Sequence, residues 1–164
     1  MSDRYDKLNH NALMASIGSM SRRWNDDLYV APPQSMNDFF ELEGPSGAVI
    51  ADDLGAAINQ VSILSNAIRL TSYIEPEPLP DHVIEAMANE LGGPRPANAS
   101  TGLLNLTEIN DEVYERLSKL RMTDWSREAM WGSEVISINA LARGVSRVNA
   151  ERLSRASRTL QALI

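Results

Sequence analysis

Two histidines, His10 and His82, and no cysteine are all this chain offers of the side chains that most readily hold metals or exchange protons near neutral pH. Without cysteine there can be no disulfide, thiolate metal site, thiol nucleophile or iron–sulfur cluster. Asp81, His82 and Glu85 cluster on one turn, and the three-residue step from His82 to Glu85 could ligate a metal. Asp81 follows a proline run, however, and such an aspartate with an acidic turn behind it is the pattern of a helix N-cap, the reading adopted here. Glu112 and Glu115 are also one turn apart. With Glu108 and Asp111 they form an acidic helix start, where carboxylates complement the positive end of the helix dipole. There is no Gly-x-Ser-x-Gly nucleophile turn and no glycine-rich phosphate loop, because Gly92-Gly93-Pro94 is a helix stop. No metal or cofactor is expected. An enzyme is the least favoured class, since no two catalytic groups are linked by motif spacing.

Charge is distributed unevenly. Residues 135–164 hold five arginines (Arg143, Arg147, Arg152, Arg155 and Arg158) and one acid, Glu151. Residues 24–94 hold twelve acids and one basic residue, Arg69. Such a split marks interaction surfaces without naming a partner. The net charge of −7 argues against nonspecific nucleic-acid binding by the whole molecule but leaves room for a local basic face. On a helical wheel, Arg143, Arg147, Arg155 and Arg158 lie opposite Ile138, Ala156 and Leu160. They could meet phosphate, dock on the acidic segment around Asp52, Asp53, Glu75 and Glu77 in the same chain or a neighbour, or simply keep a helix face wet, the commonest case.

Three short stretches resemble known families. The Glu112–Glu115 pair resembles half of the Mg²⁺ site of all-α nucleoside triphosphate pyrophosphohydrolases, but the second Glu-x-x-Asp of those enzymes is missing. His10, followed by Asn11 and an apolar run, resembles the phosphoacceptor helices of two-component proteins, with poor agreement beyond Asn11. Ala140, Gly144, Val145 and Ser146 resemble the turn of the helix-turn-helix family, where a small residue, a glycine, an aliphatic and a capping Ser or Thr recur at these steps. That resemblance implies that Arg147, Asn149 and Arg152 face DNA, with Ala150 and Leu153 turned inward. Asn139 and Arg143 depart from the pattern by standing where apolar residues are usual. The glutamate–histidine steps of ferritin-like carboxylate centres are absent.

The elements that must position these residues are helical. An aromatic content of 5% and an abundance of Ala, Leu, Ile and Met suit helices better than a β-sandwich. Leu13, Ile17, Met20 and Trp24 mark one face of a helix from about Asp3 to Asp27. A loop through residues 31–47 contains a short helix near 37–42 that sets Phe39 or Phe40 on the core. Leu54, Ile58, Val61 and Ile68 mark a second long helix, Ile50 to Tyr73, stopped by the prolines of 76–80. A short helix follows from Asp81, carrying Val83, Ile84, Met87 and Leu91. Residues 94–104 read as loop. Thr107 then caps a helix with Ile109, Val113, Leu117 and Leu120 inward. From Thr123 or Asp124 onward the pattern is helical to the end, as one helix or as two if Gly144 breaks it. No convincing strand is present.

The expectation is an all-α protein, a bundle of four to five helices with a long C-terminal helix, residues 1–164 forming a single α-helical domain. The N-terminus has no apolar signal segment and no apolar run approaches membrane-spanning length, so a soluble cytoplasmic protein without membrane contact is expected. Its expected role is a non-enzymatic adaptor, chaperone-like or assembly subunit that binds a protein partner or itself. Arg147, Leu153, Arg155, Arg158, Leu160 and Leu163 form the interacting stripe beside an acidic central surface. The alternative is a DNA-binding regulator using residues 146–153.

Overall fold

A computed structural model describes residues 8–28, 33–70, 78, 81, 95–131 and 133–164. Beyond Asp81 the expected helix at 81–91 lies outside the described residues, as do the expected helical ends at 3–7 and 71–73.

The first expected helix forms as two pieces, α1 (His10–Gly18) and α2 (Met20–Leu28). Asn9 caps α1, its side-chain oxygen accepting the Ala12 amide at 2.8 Å. The break at Ser19 leaves the apolar face intact, and Leu13, Ile17, Met20 and Trp24 are all buried. A short α3 (Pro33–Phe39) then sets Met36 and Phe40 into the core. It lies a few residues earlier than its expected place.

A tight loop leads into α4 (Ile50–Leu70). The Gly44 amide donates to the Ala48 carbonyl at 2.8 Å, and Glu43 and Val49 form an antiparallel bridge. Gly47 turns the chain with a φ of 85°, a conformation that costs a side-chain-bearing residue energy but not glycine. Asp52 and Asp53 occupy the first turn of α4.

Helix α5 (Ala99–Ser118) begins well before the expected Thr107. Asn98 is the cap, its side-chain oxygen accepting the Thr101 amide at 2.8 Å. Ala99, Leu103, Leu106, Asn110, Val113 and Leu117, at alternating steps of four and three, form one buried face. The Thr107 hydroxyl instead donates to the Leu103 carbonyl at 2.9 Å within the helix.

The expected helical run from Thr123 also begins differently. A 3-10 turn at Met122–Ser126 precedes a two-stranded antiparallel hairpin, β1 (Glu128–Trp131) and β2 (Glu134–Ser137), paired from Glu128–Ser137 to Trp131–Glu134. Four-residue strands leave too short an alternation to stand out from helical periodicity. Ser137 ends β2 and caps the last helix, α6 (Ile138–Leu163), accepting the Ala140 amide at 3.1 Å. Helix α6 runs through Gly144 without interruption.

The long helices make a four-helix bundle, counting α1 and α2 as one broken helix. Helix α4 packs against α5 and α6, and α1 and α2 pack against the same two. The first and second long elements of the chain therefore sit at opposite corners rather than side by side. Polar ties mark the crossings: the Asn110 side chain donates to the Ile17 carbonyl at 3.0 Å, and the Ser16 and Ser146 hydroxyls lie 2.7 Å apart. One continuous hydrophobic cluster, including Trp24, Leu54, Leu106, Leu117, Ile138 and Leu160, fills the centre. Among the described residues no helix is long and apolar enough to cross a membrane.

Candidate functional site

Asp53 is fully buried in the first turn of α4. A buried carboxylate needs both counter-charge and hydrogen bonds to offset its lost hydration. Helix α6 supplies them from Arg152 and Arg155, three residues apart and so on one face. Arg152 donates from Nη1 to Asp53 Oδ1 at 3.1 Å. Arg155 donates from Nη2 to Oδ1 at 2.6 Å, and from Nε to the two oxygens at 3.0 and 3.1 Å. The Arg152 side chain is 8% exposed and that of Arg155 38%. The hydrogen bond to Asp53 holds the Arg155 guanidinium even more firmly protonated than usual, against the opposing effect of its partial burial.

The neighbouring Asp52 is bound from another direction. Arg95, just ahead of α5, grips it with Nε at 2.6 Å and Nη2 at 3.1 Å. This two-pronged bond raises the Arg95 pKa in the same way. Adjacent aspartates thus tie the start of α4 to α6 on one side and to the approach of α5 on the other.

A solvent-open cleft of about 800 Å³ lies beside this cluster, between the 45–49 loop and the last turns of α6. Ser46, Asp52, Arg155, Arg158 and Thr159 provide its polar lining, and Pro45, Ala48, Val49 and Ala162 much of the rest. Gly44 brings the loop close to α6, since a Cβ there would stand 2.9 Å from Thr159 Cγ2. Arg158 is exposed and, among the described residues, has no hydrogen-bond or ion-pair partner. A second, smaller cleft of about 530 Å³ contains His10, Trp125, Glu128 and Arg143. There the His10 ring meets Trp125 edge to face, centroids 4.7 Å apart.

The described donors do not assemble a metal site. No group of three or more His, Asp or Glu side chains converges to hold one among the described residues. Both oxygens of Asp53 are taken by guanidiniums. Glu112 and Glu115 do not converge either: each pairs with the cation one turn on, Arg116 at 2.8 Å and Lys119 at 2.9 Å. The His82–Glu85 step lies outside the described residues.

No protein-family model matches the chain, and no curated protein matches it. A solved structure does share its fold. YfiT from Bacillus subtilis, described as a probable metal-dependent hydrolase with an unusual four-helix bundle topology, superposes with a TM-score of 0.65 at 15% identity, over 94% of this chain and 91% of that one. At that identity the likeness establishes the bundle. The metal in that description finds no fitting donor set among the residues described here.

This likeness corrects the expected function. The frame read from sequence as a non-enzymatic adaptor is shared with a protein described as a probable hydrolase, and this chain carries small-molecule-sized clefts beside its helices. The expected stripe is also committed within the chain: Leu153 and Leu160 lie in the core, and Leu163 is half-buried. Of the arginines assigned to interaction, Arg155 is bound to Asp53, Arg147 pairs with Glu151 on its own helix at 3.4 Å, and Arg158 lines the cleft.

The DNA-binding alternative is corrected too. Helix α6 has no turn at Gly144, and Ser146, Asn149 and Arg152, on the proposed recognition helix, are buried. The Asn149 side chain donates to the Val145 carbonyl, and Arg152 faces Asp53 rather than solvent. Sequence reasoning offered docking near Asp52 and Asp53 as one of three readings of the arginine face, beside phosphate contact and a solvated surface, and for Arg155 that contact is present. It assigned Arg152 to DNA, and it gave no role to Arg95 or to the 44–49 loop. The Pro45–Gly47 punctuation was the one signal for that loop.

Proposed function

We propose that this chain is a small-molecule enzyme, with hydrolysis the reaction class, and that its substrate sits in the cleft between the 45–49 loop and the end of α6. The observation that carries the reading is the near full-length likeness to a bundle described as a hydrolase. The cleft supports it, because its volume lies within the several-hundred-Å³ range typical of small-molecule sites. A buried charge cluster next to an open cleft is also a common property of functional sites. The chemistry such a wall supplies is electrostatic. Arg155 is fixed in place by Asp53, and guanidinium hydrogens held in advance at a cleft wall stabilise negative charge as it develops on a carbonyl oxygen.

The test is turnover of p-nitrophenyl esters, anilides and phosphate esters by purified protein, with and without EDTA. Hydrolysis above the buffer rate, lost in Ala162→Trp, is the expected result, since that exposed position lets an indole fill the cleft while sparing the core. A protein that melts cooperatively yet turns over none of these substrates would overturn the reading. So would turnover that survives Ala162→Trp.

A further inference from the structure

Four guanidiniums stand around this cleft, those of Arg95, Arg152, Arg155 and Arg158. The first three are bound to Asp52 or Asp53, which leaves Arg158 and the outward side of Arg155 open to an anion. Both line the cleft, one turn apart on α6. The backbone amides at the start of α4 add little, because Ala51 donates to the Phe40 carbonyl and Asp52 and Asp53 to that of Val49. The opposite wall is the 45–49 loop, where Pro45, Ala48 and Val49 are apolar and Ser46 contributes a hydroxyl, with Ala162 beside it.

We infer that the cleft binds a small organic anion, a carboxylate with a compact apolar body, its head on Arg158 and Arg155 and its body against the 45–49 loop. The inference rests on the reading that this cleft is the functional site. The volume favours a molecule larger than a bare oxyanion. A planar guanidinium pair suits the two oxygens of a carboxylate. Asp53 acts as a positioning residue, since its bonds to Nε and Nη2 of Arg155 fix the plane of that guanidinium.

The test is calorimetric titration with benzoate, its neutral isostere benzamide, and inorganic phosphate. Benzoate is expected to bind and benzamide not. Arg158→Gln, at an exposed position, should weaken benzoate about tenfold to a hundredfold, the range for losing a hydrogen bond to a charged group. Raising the salt from low to about 0.5 M should weaken it further, because an exposed cation is screened. Equal binding of benzoate and benzamide, or phosphate binding without benzoate, would overturn the inference. So would an unchanged affinity in Arg158→Gln. The two readings fail separately. Benzoate binding without turnover of any substrate removes the hydrolase and leaves the anion site. Turnover of neutral esters that benzoate does not inhibit removes the anion site and leaves the hydrolase.

Discussion

Asp53→Asn changes the charge of the buried carboxylate while keeping its shape and one acceptor oxygen, so it isolates electrostatics from packing. The wild-type residue is fully buried and shared by two guanidiniums. Breaking a buried pair by removing one partner typically costs about 3–5 kcal/mol, because the remaining charge is left without compensation. The two arginines will not contribute equally. Arg152, at 8% exposure, cannot regain its hydration without disturbing the core, so most of the loss belongs to it. Arg155, at 38%, can turn toward solvent, and its share is discounted to below about 1 kcal/mol. With a urea m-value of roughly 2 kcal/mol/M, the total corresponds to a fall of about 1.5–2.5 M in the unfolding midpoint. The informative partner is the triple variant Asp53→Leu, Arg152→Met, Arg155→Leu. Replacing buried ionic partners together by apolar residues is often neutral or stabilising, so this variant should recover much of the loss. A midpoint shift below about 0.5 M for Asp53→Asn would refute the reasoning. An equal loss in the single and triple variants would place the cost in packing rather than in uncompensated charge.

Three further predictions concern the frame. Gly144→Ala should stabilise the protein by about 0.5–1 kcal/mol in urea unfolding, since it sits inside α6 with nothing within 4 Å of the added methyl; Gly102→Ala should instead destabilise it by about 1–3 kcal/mol, because its Cβ would meet Leu54 at 2.7 Å and Pro96 at 2.8 Å. Asn98→Ala should cost about 1 kcal/mol by removing the α5 cap, with faster amide exchange in residues 99–102; Thr107→Ala should leave exchange there unchanged. Lys119 holds the Glu115 carboxyl below its ordinary pKa, so the pair's stabilisation is present above that ordinary value and fades as pH falls through the lowered one. Carbon-detected NMR titration should find the Glu115 transition moving up in Lys119→Met, and an unmoved transition would count against the pair.

The parts of the fold legible in the sequence were those where an apolar period ran uninterrupted. Leu13, Ile17, Met20 and Trp24 announced the first corner of the bundle even though the backbone breaks at Ser19, because side chains on both sides of the break face the same core. The start of α5 was misread for a reason of the opposite kind. Residues 98–102, Asn-Ala-Ser-Thr-Gly, have the composition of a loop, and only Asn98 acts as a cap. Small polar residues are tolerated in a first helical turn when the buried positions, here Ala99 and Leu103, keep the period. The hairpin was lost because Ala129 is its only fully buried residue among those described, and Val135 is about half exposed. Two four-residue strands bury too little to leave a pattern.

The candidate site was half-legible because charge complementarity can be read along a chain but burial cannot. An acidic α4 and an arginine-rich α6 predicted attraction, and Arg155 does reach Asp53. On a wheel, however, Arg155 and Arg158 alike lie opposite the apolar face, and nothing local distinguishes Arg158, which stays exposed, from Arg155, which reaches a buried carboxylate. The difference arises only when α4 docks on α6 and presents Asp53 at the height of Arg152 and Arg155. Asp52 and Asp53 are identical in type and adjacent in sequence, yet successive helical positions point about 100° apart, which sends one to Arg95 and the other inward. The diagonal placement of the first and second long helices matters as well. It frees α4 to contact both α5 and α6, and so joins residues 44–53, 95 and 152–159 into one site that no single stretch of sequence contains.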